Sequence, residues 1–182
     1  MGYLFTSERL GFRNWTSDDL DKMYSINSDK EVMEFFPSQP TRKETIDFIT
    51  RMQTSFAKNG YCYFAVEIIN TQEFIGFIGL SIQTFEADFT PMTDIGWRLK
   101  KSSWGKGFAT EGAKACVKYG FEDLNLKTIH AIAPKLNTKS QHVMTKIGMT
   151  ESCTFIHPKI NKDHTLKNCV LFKISNKSNS SF

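Results

Sequence analysis

The sequence contains no run of about 18 apolar residues, roughly the shortest length that lets a helix cross a bilayer. Its first nine residues, M-G-Y-L-F-T-S-E-R, also lack the basic segment and following apolar segment that a secretory leader needs. Neither a helical membrane protein nor a secreted one is therefore indicated. We expect a cytoplasmic protein with no membrane partner.

Cysteine is scarce as well, because the four residues Cys62, Cys116, Cys153 and Cys169 lie far apart and form no C-x-x-C pair. A zinc site or a dense disulfide framework needs closer cysteines, so no metal is expected, and each cysteine should be a small buried apolar side chain. The net charge of +4 is too small to indicate nucleic-acid binding. It would still help to attract an anionic cofactor.

The remaining composition suits one soluble domain. The 182 residues are 40% hydrophobic and 23% charged, which is enough for a single substantial core. No internal repeat or domain boundary interrupts the chain before its Ser/Asn-rich end. We predict one domain over residues 1–174 and a flexible tail over residues 175–182.

Strand and helix patterns alternate along the chain. Thr41 and Glu44 form a capping box ahead of an amphipathic helix that should end at Asn59 and Gly60. A second helical stripe of small and apolar residues runs from Ala109 to Leu124. The predicted strands cover residues 4–15, 61–69, 73–83, 95–99, 128–133, 150–156 and 166–174. This mixture predicts an α/β fold.

The most informative stretch is D-I-G-W-R-L-K-K-S-S-W-G-K-G-F-A-T-E, from Asp94 to Glu111. It predicts a strand, a glycine loop and a helix, in that order. The first N–H groups of a helix have no partner and favour an anion, so a phosphate could bind at residues 106–110. Glycine at 105 and 107 would let the backbone approach that ligand and adopt a positive φ.

Two familiar phosphate motifs do not fit this loop. A Walker loop requires G-x-x-x-x-G-K-(S/T), whereas Lys106 is followed by Gly107 and no glycine lies five residues before Gly105. A dinucleotide fingerprint requires a third glycine where Thr110 stands.

The loop resembles instead the acetyl-CoA loop of the GNAT acetyltransferases, whose core pattern is (Q/R)-x-x-G-x-(G/A). Trp104 departs from the Gln or Arg of that pattern, but W-G-K-G-F-A-T-E is similar to the W-G-x-G-(Y/F)-A-T-E form of the branch that includes ribosomal-protein N-acetyltransferases. About 30 residues further on, N-T-K-S-Q-H-V-M-T-K-I-G-M resembles the family's N-x-x-S-x-x-V-x-x-K-x-G-F. The resemblance covers residues 5 to 174.

The resemblance implies a GNAT fold, with a mixed central sheet of about six to seven strands and helices on both faces. It also implies that acetyl-CoA is the co-substrate, with its pyrophosphate on the loop, its pantetheine amides along a splayed strand edge and an asparagine fastening it from the other side. The corresponding cofactor-binding residues are Trp97, Arg98, Leu99, Trp104, Gly105, Lys106, Gly107, Phe108, Ala109, Thr110 and Asn137. Asn137 would equally suit the N-cap of a helix.

The resemblance further implies two catalytic residues. Asp94 lies 13 residues before Gly107, where the family often has an acidic residue, and Ser140 matches the serine proposed to protonate the thiolate in the ribosomal-protein branch. Asp94 would need burial or a bridging water to act as a base, and it could instead face solvent at the start of a strand. Ser140 could instead cap a helix or contact the cofactor passively. The four histidines are weaker candidates for the base.

The sequence therefore predicts an N-acetyltransferase that moves acetyl from acetyl-CoA to a primary amine by direct transfer. A protein N-terminal amine is one acceptor, and a small cationic amine would suit the acidic positions Glu31, Glu34, Glu86 and Asp88 equally well. A module that binds acetyl-CoA without catalysis is the alternative, and nucleic-acid binding ranks last. The oligomeric state stays open, a homodimer included.

Overall fold

A computed structural model of the chain describes residues 2–176. One mixed sheet carries eight strands: β1 Phe5–Thr6, β2 Leu10–Arg13, β3 Tyr63–Ile68, β4 Glu73–Gln83, β5 Met92–Leu99, β6 Thr128–Pro134, β7 Thr150–Ile156 and β8 Asn168–Ser175. Four α-helices accompany it: α1 Leu20–Asn27, α2 Arg42–Asn59, α3 Phe108–Glu122 and α4 Thr138–Lys146. The α/β prediction is confirmed.

The strand order in the sheet is β1-β2-β3-β4-β5-β6-β8-β7. Neighbouring strands are antiparallel except β5 and β6, which are parallel. The count exceeds the predicted six to seven because the first predicted strand is two short strands. Its chain reverses over residues 7–9, so that Phe5 pairs with Phe12.

Helices cover both faces of the sheet, as expected. On one face α3 packs so closely that a Cβ at Gly112 would overlap Ile78 of β4. On the other face Phe48 of α2 packs against Phe77 of β4. Phe77 and Ile78 are consecutive residues of the strand, so their side chains point to opposite faces of the sheet. Two apolar layers therefore enclose the middle of the sheet, and the strands between them are almost wholly buried.

The helix ends follow their local chemistry. The Thr41 side chain accepts a hydrogen bond from the Glu44 N–H, and the Glu44 carboxylate accepts one from the Thr41 N–H. Gly60 ends α2 in the left-handed conformation, with φ of 78°. This capping box and stop occur where the sequence predicted them.

Strands β5 and β6 share one register pair in the described part of the chain, Asp94 with His130. Beyond that pair, the C-terminal half of β5 has no strand partner on this side, while its other edge pairs with β4 along its length. A parallel pair that separates in this way leaves backbone N–H and C=O groups open along one edge. This opening determines where the candidate site lies.

Other expectations meet a mixed outcome. Cys62, Cys116 and Cys169 are buried as predicted, but Cys153 is exposed on the edge strand β7. Strand β8 extends to Ser175, and the rest of the predicted tail, from residue 177 onward, lies outside the described residues. Within residues 2–176 we find no helix whose length and apolarity would carry it through a bilayer.

Candidate functional site

The glycine loop between β5 and α3 has the conformation that its sequence predicted. Gly105 and Gly107 have φ of 73° and 82°, a region that residues with a Cβ rarely adopt. Gly107 is the N-cap of α3, and no side chain caps that helix end. The loop is exposed from Trp104 to Gly107, so the first N–H groups of α3 can meet a ligand.

A cavity of about 430 Å³ lies against this loop, and we call it the loop cavity. All but one of the predicted cofactor-binding residues line it. They are Trp97, Arg98, Leu99, Trp104, Gly105, Gly107, Phe108, Ala109, Thr110 and Asn137. Lys106 is exposed on the loop but does not line the cavity.

A second cavity of about 230 Å³ adjoins the first, and we call it the strand cavity. It lies over β5 and reaches from Asp94 to Arg98, with α4 on the other side of the opening between β5 and β6. The two cavities share six lining residues and so form one continuous groove. The shared residues are Phe35, Phe36, Trp97, Arg98, Asn137 and Ser140.

Asp94 is the acidic group at the inner end of the strand cavity. Its side chain is buried, with the residue 7% exposed, and Oδ1 has no hydrogen-bond partner. The alternative prediction, a carboxylate that faces solvent, is therefore wrong. Burial raises the pKa of Asp94 to about 7, although the hydrogen bond from Tyr63 and an interaction with the Ile132 backbone N–H oppose this shift. An acid with this pKa can exchange a proton at neutral pH.

Tyr63 is the partner of Asp94 that sequence reasoning missed. Its hydroxyl donates to Asp94 Oδ2 over 2.5 Å and accepts from Gln83 Nε2 over 3.1 Å. Tyr63 lies two strands away on β3, and its ring reaches Asp94 by lying across Gly96, where a Cβ would come within 3.0 Å of the ring. Burial and the Asp94 carboxylate raise the pKa of Tyr63 well above its usual value, so the hydroxyl stays protonated.

Asn137 and Ser140 lie on the opposite wall of the groove. The Asn137 side chain caps α4 by accepting a hydrogen bond from the Ser140 N–H over 3.0 Å. The N-cap alternative for Asn137 is thus confirmed. Because both residues also line both cavities, their predicted contacts with cofactor and thiolate remain compatible with this geometry.

The segment between α1 and α2 contributes both to the core and to the groove. Val32 and Met33 are buried in the core, and Val32 also lines the loop cavity together with Phe35 and Phe36. Of the four acidic positions proposed for a cationic acceptor, only Glu31 lines the groove, and Glu34, Glu86 and Asp88 line neither cavity. Among the described residues, Asp94 and Glu31 are the only carboxylates that line either cavity, and Glu31 forms an ion pair with Lys101. No histidine lines either cavity in residues 2–176.

The comparisons with known proteins identify the family. The family model for the acetyltransferase (GNAT) domain matches residues 9–150, which is more than half of the chain. The uncharacterized N-acetyltransferase YnaD of Bacillus subtilis strain 168 is 32% identical over 146 residues, covering 79% of this chain and 81% of the relative.

Two solved structures share the fold over nearly their whole length. Spermidine N-acetyltransferase from Vibrio cholerae, in complex with CoA and spermine, has a TM-score of 0.72 at 19% identity and covers 92% of this chain and 96% of its own. Ribosomal-protein-S5-alanine acetyltransferase from Vibrio fischeri has a TM-score of 0.76 at 19% identity and covers 95% and 96%. At such identities the likeness is one of fold.

Proposed function

The chain belongs to the GNAT family of N-acetyltransferases, and on this premise we propose that it moves the acetyl group of acetyl-CoA to a primary amine by direct transfer. The observation that carries the proposal is the continuous groove, which joins an exposed glycine loop to a buried carboxyl group with a pKa near 7. The transferase domain is proposed to span residues 1–174.

The loop cavity is the proposed place for the cofactor, because this family uses acetyl-CoA. Its pyrophosphate would lie on the N–H groups at the start of α3, where the helix dipole favours negative charge. Lys139 and Lys146 line the same cavity and would add positive charge near the phosphates. The pantetheine amides would pair with the open edge of β5, much as an added strand pairs with a sheet edge.

The chemistry requires two proton movements. An ammonium acceptor first loses one proton to Asp94, and the neutral amine attacks the thioester carbonyl. A backbone N–H near Trp97 would stabilise the tetrahedral oxyanion. When the C–S bond breaks, Ser140 would pass a proton to the thiolate and take up one that the amine nitrogen releases. One amide, one CoA thiol and one released proton balance the reaction.

The acceptor could belong to either of two groups. The two structural neighbours act, by their names, on spermidine and on alanine of ribosomal protein S5. The strand cavity, at about 230 Å³, is below the roughly 300–1,000 Å³ of typical drug-sized ligand sites, so it would admit one small amine or the first residue of a protein.

The test combines cofactor binding with turnover. Gly107→Asp places a negative charge where the pyrophosphate should bind, and Arg9 would not cancel it because Glu111 already pairs with Arg9. Gly107→Ala carries the same left-handed strain without the charge. Calorimetry should show acetyl-CoA binding by the wild type and the Ala variant, and loss of at least about tenfold in affinity for the Asp variant.

Release of CoA thiol across a panel of amines decides between enzyme and sensor. Turnover of at least one amine, absent in Asp94→Asn, supports the transferase. Tight acetyl-CoA binding with no turnover of any amine, including peptide N-termini and polyamines, would favour the non-catalytic binding module. A cofactor affinity of Gly107→Asp equal to that of the wild type would count against the loop as the phosphate site.

A further inference from the structure

Arg98 is a partly buried cation in the strand cavity whose charge no carboxylate neutralises within residues 2–176. Its Nη1 donates to Asn27 Oδ1 over 2.6 Å, while Nε is buried without a hydrogen-bond partner. Two aromatic rings flank the guanidinium: its Cζ atom lies 4.0 Å from the centroid of the Phe36 ring and 5.5 Å from that of the Phe77 ring. Withdrawing such a group from water without a counter-ion is costly.

Arg13 is another largely buried arginine of this protein, and unlike Arg98 it is neutralised by carboxylates. Its guanidinium bonds Asp19 over 2.7 Å and Glu67 over 2.5 Å, and both carboxylates are largely buried with it. Arg98 has no such pair, and burial lowers its pKa only to about 10, so it remains charged at neutral pH. A charged, held and unpaired guanidinium that lines a cavity indicates a place for an anion from outside the chain.

The position of Arg98 relates this anion to the acceptor. Side chains of a strand alternate between its faces, so Asp94 and Arg98 project from the same face of β5 with Gly96 between them. Their Cα atoms are about 13 Å apart at the usual rise per residue. The proposed pantetheine contacts of residues 97–99 use the backbone, which leaves the Arg98 side chain free for a second partner.

We propose that Arg98 binds a carboxylate on the acceptor, so that the substrate is a small amine that also carries an anionic group several bonds away from its nitrogen. This inference rests on the proposed function and narrows its acceptor. The amine end lies at Asp94 and the carboxylate end at Arg98, where the fork of guanidinium donors matches the geometry of a carboxylate. A polyamine would place a second positive charge against Arg98.

Three six-carbon amines test this directly, because they differ only at the far end: 6-aminohexanoate, hexylamine and 1,6-diaminohexane. For the wild type, kcat/KM should be highest for the amino acid, about tenfold or more above hexylamine, since a charge-assisted hydrogen bond contributes this much. The diamine should be the poorest of the three. In Arg98→Gln the preference for the amino acid should fall to near unity, while Arg98→Lys should keep part of it.

Lys118→Gln is the matched control, since it removes one positive charge from the exposed surface of α3, outside both cavities. It should leave the ratio of the three amines unchanged. If Arg98→Gln raises the KM for acetyl-CoA and leaves the amine ratios as they were, Arg98 serves the cofactor and the inference is wrong. Turnover of the three amines without preference also overturns it, while the proposed function stands.

A complete lack of turnover would instead contradict the proposed function. The inference is then decided by calorimetry with hexanoate, an unreactive acid, in the presence of CoA. Binding by the wild type that Arg98→Gln abolishes would support an anion site, and equal binding by the two proteins would refute it.

Discussion

Tyr63 opposes the effect of burial on the charge of Asp94 through one hydrogen bond. The bond stabilises the carboxylate form, while burial of the pair favours the neutral acid, and burial is the larger effect. Asp94 therefore titrates at about 7. A group with this pKa is half-ionised at neutral pH, which suits a residue that must accept a proton from an ammonium group.

Tyr63→Phe should move the pH dependence of the reaction to higher pH. Without the hydroxyl, the carboxylate form of Asp94 loses its stabilising bond, so its pKa rises further above 7. We expect the ascending limb of kcat at saturating amine to lie near pH 7 in the wild type and to shift upward in the variant.

Tyr61→Phe provides the control for this shift. The Tyr61 hydroxyl meets Thr93 Oγ1 at 3.2 Å rather than a carboxylate, so its removal should change kcat little and leave the limb in place. An unchanged limb in Tyr63→Phe would show that another group sets the pH dependence.

Sequence reasoning found Asp94 and not Tyr63 for a physical reason. Asp94 belongs to a contiguous motif, and a count of residues from Gly107 locates it. The contact with Tyr63 depends on the register of three strands and on a glycine that leaves room for a ring. Neither periodicity nor spacing contains that information.

The start of α3 is fixed to the turn between β1 and β2 by an ion pair. The Glu111 carboxylate accepts hydrogen bonds from Ser7 Oγ at 2.6 Å and from Arg9 N and Nε at 2.7 Å each. Arg9 Nη2 in turn donates to the Lys106 carbonyl over 3.1 Å, and its guanidinium lies 4.6 Å from the Phe108 ring centroid. Arg9 thereby holds the glycine loop from outside the groove.

Arg9→Ala should weaken the cofactor site more than it weakens the fold. Loss of the contact to the Lys106 carbonyl frees the loop, so the KM for acetyl-CoA should rise by about tenfold, the effect of one charge-assisted hydrogen bond. The KM for the amine should change little, because Arg9 lines neither cavity.

Arg42→Ala is the comparison for Arg9→Ala. It breaks an exposed ion pair with Asp21 between α1 and α2, remote in the chain from the loop, and should alter neither constant. If Arg9→Ala lowers the melting temperature and leaves the KM for acetyl-CoA unchanged, the ion pair with Glu111 serves stability alone.

Elements were predicted more successfully than the contacts between them. The capping box at Thr41, the glycine stop at residue 60 and the strands β3 and β4 all follow from local chemistry, which short stretches of sequence express directly. The turn at residues 7–9 was missed because it lacks proline and glycine. Arg9 and Glu111 stand in two separate motifs, and nothing in either predicts their contact.

The whole sheet is arranged around a break. Within residues 2–176, every pair of neighbouring strands shares at least two register pairs except β5 and β6, which share one, and the groove occupies the gap between these two strands. Periodicity predicts strands without their order, so the gap was expected only from the family resemblance. The unpaired guanidinium of Arg98 and the unpartnered Oδ1 of Asp94 both lie along it. The groove therefore brings together buried polar groups that lower the stability of the fold but can take part in binding and catalysis.

Asp94 makes this cost measurable as a dependence of global stability on pH. In the unfolded chain its pKa is near 3.8, and in the folded protein it is about 7, so between these values the folded state holds a proton that the unfolded state releases. Stability consequently falls as pH rises through this window, by at most about 4 kcal/mol at about 1.4 kcal/mol per pKa unit.

Asp94→Asn cannot ionise, so its gain in free energy of unfolding over the wild type should be larger at pH 8 than at pH 5, although it should lose acetyl transfer. Urea unfolding at both pH values measures the difference, with Asp88→Asn, the same change at an exposed loop position, as the control. An equal gain at both pH values would mean that Asp94 is already ionised at pH 5, and the proposed proton acceptor would lack the raised pKa that its burial implies.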